Sequence, residues 1–308
     1  MSDMLTHWAA FEDCCRLAQI DATIEPAFRA ALAQNREAGR LGTLTRLGAE
    51  WMQPMLESVR EHWSESSPDR KLTRNLAFVL GGLIHQATDN VMKPALSRAA
   101  GGTWSQMQAY LRGTPGTPPV SPQVVEAAHE YSAYLDAEVF SQVYLGGGAD
   151  PFSEFFMAKL NPKGRAFEEF VRALFQRSLL SVHTLNPTVD HMEDWLENLF
   201  RTVQPAFVGI DRWVRVFNQP DPAKIEAFEV RTSFYRADDP TIRAARTLQR
   251  GEEIDAAARQ AVFTDQIHTC YYANILQTGL AYTRKASQFW RRETSHLVAP
   301  NFDEWPIS

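Results

Sequence analysis

The spacing of the apolar residues constrains the fold of this chain more than any other feature of its sequence. Apolar residues recur at intervals of three and four along nearly the whole chain, and sustained alternation with a period of two is hard to find. The first pattern is typical of amphipathic helices, whereas strands that are buried on one face require the second. The sequence therefore predicts an all-α fold.

Turn residues divide this pattern into predicted helices. Residues 75–93 form the most hydrophobic segment, which we expect to be a buried central helix ending at Pro94, because proline disfavours a helical conformation in the residue before it. Three glycines at 146–148 mark a break between residues 1–145 and a C-terminal helical region, 146–308, that packs on them or continues the same domain. The other predicted helices cover residues 4–18, 22–37, 41–63, 104–111, 122–144, 151–160, 165–182, 188–217, 222–235, 240–250 and 252–291.

Charge and composition weigh against several classes of function. Lys and Arg number 31 against 37 Asp and Glu, a net charge of -6, so we expect no nucleic-acid partner. No window approaches the apolar length of a membrane span, and the N-terminus lacks the features of a signal peptide. Two of the three cysteines, Cys14 and Cys15, are adjacent and poorly placed to form a bridge. These features predict a soluble, cytoplasmic protein with no transmembrane segment.

A histidine and an aspartate on the predicted central helix form the sharpest local motif. His85 and Asp89 are four residues apart and share one helix face, where an imidazole and a carboxylate can bind a single metal ion. A core histidine that hydrogen-bonds to an aspartate one turn away has the same spacing and is the more common arrangement. The pair alone is therefore weak support for a metal site.

The predicted helix over 122–144 places two more ionisable residues on its buried face, His129 and Asp136. Burying both costs several kcal/mol unless they pair with each other or bind a cation. Seven residues separate them, about 10 Å along a helix axis, so an intervening ligand fits better than a direct hydrogen bond. Two further histidines lie earlier in the chain: His7 near the start of the first predicted helix, and His62, which points inward if the apolar stripe over 41–63 does.

The order of these residues resembles the zinc-dependent phospholipase C family. The resemblance rests on Thr6-His7-Trp8, on a G-x-x-x-H-x-x-x-D-x-x-x-x-P pattern between Ala77 and Leu96, and on His129 followed by acidic residues. It covers residues 1–145 and implies a multi-helical bundle like that of phospholipase C and P1 nuclease, with an additional C-terminal helical half. It also implies zinc as the cofactor and hydrolysis of a phosphodiester, either a phospholipid headgroup linkage or a smaller phosphate ester.

The ligand set that the resemblance implies is incomplete in this chain. The family usually has an acid after a glycine between its first histidine and the His62 position, which residues 41–48 lack, and a glutamate where this chain has Ala133. Glu126, Glu130 and Asp136 are the substitutes available. Asp89 is the candidate catalytic residue, and the candidate metal ligands are His7, His62, His85, Asp89, His129 and Asp136.

These departures leave two alternatives to a zinc-dependent phosphodiester hydrolase. One is a catalytically inactive helical binding or interaction module descended from the same fold. The other is a helical protein with ordinary buried histidine–aspartate pairs, which predicts that His7, His85 and His129 are not close in space.

Overall fold

The computed structural model describes residues 4–43, 49–64, 69–99, 101, 121–146, 210–264 and 270–297. Within these ranges the chain is mostly helical and contains no strand, which confirms the predicted all-α class. The predicted helices over 104–111, 151–160 and 165–182, and most of the one over 188–217, lie outside the described residues. The described α-helices are α1 (Met4–Ile20), α2 (Pro26–Gln34), α3 (Arg36–Gly42), α4 (Ala49–Glu61), α5 (Arg70–Ala99), α6 (Pro122–Val139), α7 (Ile210–Asn218), α8 (Pro222–Ala227), α9 (Pro240–Gln249), α10 (Ala256–Phe263) and α11 (Tyr271–Trp290), with π-helical turns at Phe140–Leu145 and Val230–Phe234.

Helix α5 is the centre of the described fold, as the hydrophobicity of residues 75–93 predicts. It contacts α1, α2, α3, α4, α6 and α11. The predicted end at Pro94 is wrong, because α5 continues through Pro94 to Ala99. Proline removes one main-chain hydrogen bond, but Ala95, Leu96 and Ser97 are buried in the following turn, and their packing outweighs that loss.

Helix α3 crosses α5 closely because glycines lie at the contact. A Cβ atom on Gly42 would lie 2.1 Å from the carbonyl oxygen of Phe78, and one on Gly81 would lie 2.1 Å from the carbonyl oxygen of Gly39. Main-chain atoms packed between helices cannot move aside as the end of a side chain can, so both positions require glycine. The crossing brings Thr43, which follows α3, next to the face of α5 that carries His85.

Several predicted helices are divided in the structure. The one over 22–37 is interrupted at Asn35, whose backbone is not helical (φ -127°, ψ 48°). The one over 222–235 is interrupted at Glu229, which is in the left-handed region (φ 50°). The one over 252–291 forms α10 and α11 as separate helices, and the described part of the one over 41–63 is divided between the end of α3 (residues 41–42) and α4. The helix over 240–250 matches α9 closely.

Helix α11 packs against α5 and α1, with a buried face that includes Leu276 and Leu280. Residues of the C-terminal part thus complete the core that the N-terminal helices begin. The division of the chain near residue 145 stays a prediction. No helix in the described ranges has both the length and the apolar character that crossing a membrane requires.

Candidate metal centre

Three of the predicted ligands converge where α1 meets α5. His7 of α1 and His85 and Asp89 of α5 each contribute one ligand atom to a set that spans no more than 4.8 Å. Asp89 lies between the two imidazoles: its Oδ1 is 3.5 Å from His7 Nε2, and its Oδ2 is 3.3 Å from His85 Nε2. The two rings stack with centroids 4.6 Å apart. We refer to these three buried residues as the histidine–aspartate group.

The main-chain carbonyl of Thr43 fixes the orientation of His85. The Nδ1 atom of His85 lies 2.7 Å from this oxygen. A carbonyl oxygen only accepts hydrogen bonds, so Nδ1 carries the proton and donates it, and Nε2 faces Asp89. Histidines that bind metal ions commonly donate their other N–H group to a carbonyl or carboxylate in this way. The close α3–α5 crossing therefore holds the His85 ring with Nε2 toward Asp89, and this nitrogen can bind a metal ion once it carries no proton.

Asp136 fixes the start of the helix that carries His7. Its carboxylate accepts hydrogen bonds from the main-chain N–H groups of Leu5 (3.2 Å) and Thr6 (2.8 Å), and from the Thr6 hydroxyl. The first N–H groups of a helix have no partner within that helix, and a negative charge is stabilised beside them. Asp136 was expected to pair with His129 or, as the better fit, to share a bound ligand with it; in the structure, capping of α1 explains its burial, and Asp136 does not belong to the histidine–aspartate group.

The structure does not bring His62 or His129 into the histidine–aspartate group. His62 is exposed, and its Nδ1 atom lies 2.8 Å from the carbonyl oxygen of Ser58. The prediction that His62 points inward is wrong because α4 ends at Glu61, before the apolar stripe reaches the histidine. His129 is half-buried on α6, and its ring nitrogens are not part of the convergent set.

The two glutamates proposed as substitutes for the missing family acid are engaged elsewhere. Glu126 forms an ion pair with Arg212 of α7, and Glu130 forms one with Lys224 of α8. Both glutamates thus contact the C-terminal part of the chain. The histidine–aspartate group therefore offers three protein ligands, fewer than the six candidates that the sequence analysis named.

Lys93 is a neighbour of this group that the sequence analysis missed. Its ammonium contacts Asp89 Oδ2, and its side chain is one-third exposed. Burial raises the pKa of the Asp89 carboxyl, but the charge of His85, hydrogen bonds from His7 and His85, and the charge of Lys93 outweigh it and hold that pKa well below its usual range. Lys93 follows Asp89 by four residues, as Asp89 follows His85, and this spacing could have identified it.

The donor set is of a kind that binds metal ions. The His7 and His85 nitrogens lie 3.5 and 3.3 Å from different oxygens of Asp89, and one ligand atom from each of the three residues lies within 4.8 Å of the other two. Two histidines and one carboxylate form a set found in catalytic zinc sites, where the fourth position is open to water or substrate. The group therefore has the residue types and the approximate spacing of a three-ligand metal site.

Comparison with known proteins adds no relative: the chain matches no family model, no curated protein and no solved structure. The resemblance to the zinc-dependent phospholipase C family therefore stays a prediction that rests on the order of residues in the sequence.

Proposed function

We propose that the histidine–aspartate group binds zinc and that the protein is a metal-dependent hydrolase of a phosphodiester. The observation that supports the metal site is the convergence of His7, His85 and Asp89 from two helices within 4.8 Å. The phosphodiester, whether a phospholipid headgroup linkage or a smaller ester, is supported by the family resemblance of residues 1–145.

In this proposal the residues around the site have distinct tasks. His7 and His85 supply neutral nitrogen ligands and Asp89 supplies an anionic one, with Thr43 and Asp136 holding the two histidines in position. A bound zinc ion supplies Lewis acidity, which lowers the pKa of a water molecule and polarises a phosphoryl oxygen. Lys93 contacts Asp89 and is one-third exposed, so its positive charge beside the group would favour a bound phosphate oxygen.

The first test is the metal content of the purified protein by elemental mass spectrometry. We expect stoichiometric zinc in the wild type and its loss in a His85→Ala/Asp89→Ala double variant. His62→Ala is the matched control, because this exposed histidine was a predicted ligand that the structure leaves outside the group. Wild-type protein that stays metal-free after incubation with zinc would refute the hydrolase.

The second test is hydrolysis of a chromogenic phosphodiester, bis(p-nitrophenyl) phosphate, by zinc-loaded protein. We expect turnover that the double variant lacks and that a chelator abolishes. If the wild type binds zinc but hydrolyses neither this substrate nor a phospholipid, the metal site is supported and the hydrolase is refuted.

The contact between Lys93 and Asp89 favours a second candidate, a helical binding module without catalysis. In that case His7, His85 and Lys93 are the permanent partners of the Asp89 carboxylate, and the group stabilises the α1–α5 contact. A folded, stable protein that binds no zinc is the outcome that this candidate predicts.

A further inference from the structure

A second group of buried charges involves α1, on the C-terminal side of His7. Glu12 and Asp13 are 3% and 0% exposed and lie beside four arginines from three helices. Asp13 Oδ2 also accepts a hydrogen bond from the Tyr272 hydroxyl at 2.9 Å. We call Arg16 of α1, Arg36 and Arg40 of α3, and Arg246 of α9 the arginine cluster.

The two carboxylates have almost no capacity left for further hydrogen bonds. Glu12 accepts from Arg16 (3.3 Å) and Arg36 (3.1 Å) on Oε2, and from two nitrogens of Arg40 on Oε1. A carboxylate has about four lone-pair positions, so Glu12 is saturated. Asp13 Oδ1 accepts from both Arg16 and Arg246, and its Oδ2 is taken by Tyr272.

Arg246 is left with donors that have no acceptor. Its Nη2 atom donates to Asp13, but its Nε and Nη1 atoms are buried and have no hydrogen-bond partner in the part of the chain that the structure describes. A buried donor without a partner costs free energy, and more so when the group is charged. These nitrogens therefore need an acceptor that Glu12 and Asp13 cannot provide.

The charges of the cluster are also unbalanced. Four guanidinium groups share two buried carboxylates, and among the described residues only one further acid pairs with them, Glu37, which bonds to Arg40 (2.8 Å) at the surface. Arginine stays protonated under all ordinary conditions, so the positive charge cannot be removed by deprotonation. An excess of positive charge therefore remains here, in a chain whose net charge is -6.

We propose that the arginine cluster binds a phosphate-type oxyanion, either inorganic phosphate or the phosphate group of a small ester. Such an anion supplies both missing elements at once: oxygen acceptors for the Nε and Nη1 atoms of Arg246, and negative charge for the cluster. A water molecule supplies acceptors but no charge. Guanidinium groups are suited to phosphate because their planar N–H donors match its oxygens.

The four arginine side chains of the cluster differ in their solvent exposure. Arg16 and Arg246 are 13% and 14% exposed, whereas Arg40 and Arg36 are 20% and 34% exposed. The two arginines of α3 thus form the more exposed side of the cluster, and Arg246 and Arg16 the more buried side. This site is separate from the histidine–aspartate group in its residues, and its existence does not depend on metal binding.

The test is thermal unfolding of the chelator-treated full-length protein across a series of inorganic phosphate concentrations, with sodium chloride holding the ionic strength constant. We expect the Tm to rise by about 2–4 °C when phosphate is tenfold above its dissociation constant. Glycerol 3-phosphate in place of inorganic phosphate distinguishes the two sources: a larger rise with the ester identifies an esterified phosphate, and an equal or smaller one identifies the free anion.

Variants identify the arginines that bind the phosphate. Arg246→Met should abolish the phosphate-dependent rise, and Arg36→Gln, at the exposed edge, should weaken the apparent phosphate affinity roughly threefold. Arg250→Met is the matched control. Arg250 lies one helical turn after Arg246, just beyond the end of α9, and its exposed side chain bonds to Glu252 and Thr247. The His85→Ala/Asp89→Ala variant should keep the full rise.

Two results would overturn the proposal. One is a wild-type Tm that does not respond to phosphate at constant ionic strength. The other is a phosphate-dependent rise in Tm that persists unchanged in both Arg36→Gln and Arg246→Met, because the anion would then bind elsewhere. If Arg246→Met does not fold, an unchanged rise in Arg36→Gln alone overturns the proposal.

Discussion

Helix α1 contributes to two buried groups of charge that differ in what neutralises their carboxylates. At the histidine–aspartate group, two imidazoles and Lys93 surround Asp89. At the arginine cluster, four guanidinium groups surround Glu12 and Asp13. An imidazole has a lone pair to offer once it is deprotonated, whereas a guanidinium only donates hydrogen bonds. The first group is thus suited to a cation and the second to an anion.

Helix α3 connects these two groups. Its arginines, Arg36 and Arg40, bind Glu12, and the residue that follows it, Thr43, orients His85. Both connections depend on the glycine contact that lets α3 approach α5. The comparison therefore predicts that some variants affect one group alone, while a variant at the α3–α5 crossing affects both.

The largest expected effect comes from Asp13→Asn. The substitution keeps the volume but removes the negative charge between Arg16 and Arg246, so two largely buried guanidinium groups lose their common partner. We expect the free energy of unfolding in urea to fall by about 3–5 kcal/mol, with zinc content unchanged in the folded protein. Asp238→Asn, which removes an exposed partner of Arg236, is the control and should have no measurable effect. Loss of zinc in Asp13→Asn would show that the two groups are not independent.

Gly42→Ala should affect both groups. Its Cβ would lie 2.1 Å from the Phe78 carbonyl oxygen, so α3 must move away from α5. We expect a loss of about 1–3 kcal/mol in the free energy of unfolding, together with weaker zinc binding because the Thr43 carbonyl moves away from His85. Gly82→Ala is the control: its Cβ would press on the flexible end of Met52, at 3.1 Å, and meet the Gly42 carbonyl oxygen at an ordinary contact distance of 3.9 Å. Equal zinc affinity in Gly42→Ala and the wild type would mean that Thr43 does not position His85.

Acid should weaken the arginine cluster. Burial raises the pKa of Glu12, but Arg40, Arg16 and Arg36 outweigh it and lower that pKa in the folded protein. A carboxyl whose pKa is lowered by folding stabilises the protein above its unfolded pKa, about 4.3, and this contribution is lost as the pH falls toward the folded pKa. We expect the free energy of unfolding of metal-free protein to fall below about pH 4.5, by an amount of the order of 1 kcal/mol per unit of pKa shift. A Glu12→Gln variant with an equally steep fall would contradict this assignment.

Lys93→Met should give the smallest effect and separates the two candidate functions. Removing the ammonium that contacts Asp89 removes a competing positive charge, so the hydrolase proposal predicts zinc affinity about three- to fivefold higher, as expected for a partly exposed charge pair. The binding-module candidate predicts no zinc binding and a lower free energy of unfolding, because Asp89 loses a permanent partner. Competition with a zinc-sensitive dye measures the affinity, and urea unfolding measures the stability.

Local patterns in the sequence predicted the helices better than their ends. The burial of residues 75–93 followed from hydrophobicity alone, and the predicted start at residue 122 matches that of α6, where the Ser121 side chain accepts a hydrogen bond from the Val124 N–H group. The end at Pro94 did not follow, because Ala95, Leu96 and Ser97 are buried in the turn after the proline. Helix α5 packs against helices as far along the chain as α11, and local patterns do not indicate such contacts.

The candidate site shows the same limit. The i, i+4 spacing predicted His85 and Asp89 on one face, and the family order added His7. Asp136 was correctly expected to be buried with a partner, but that partner is the start of α1, which no local pattern in α6 indicates. The arginine cluster was missed because Asp13 and Arg246 lie far apart in the sequence and are brought together by the packing of α1 against α9.

The most direct test of the central claim is X-ray absorption at the zinc edge of the purified, zinc-loaded protein. The ligands named here predict two imidazoles at about 2.0–2.1 Å together with oxygen ligands from Asp89 and water, and no sulfur. Because His7 and His85 are the only imidazoles in the described convergent set, the signal should fall to one imidazole in His7→Ala and stay at two in His62→Ala. Three or more imidazoles, a sulfur ligand, or an unchanged spectrum in His7→Ala would contradict the histidine–aspartate group as the metal site.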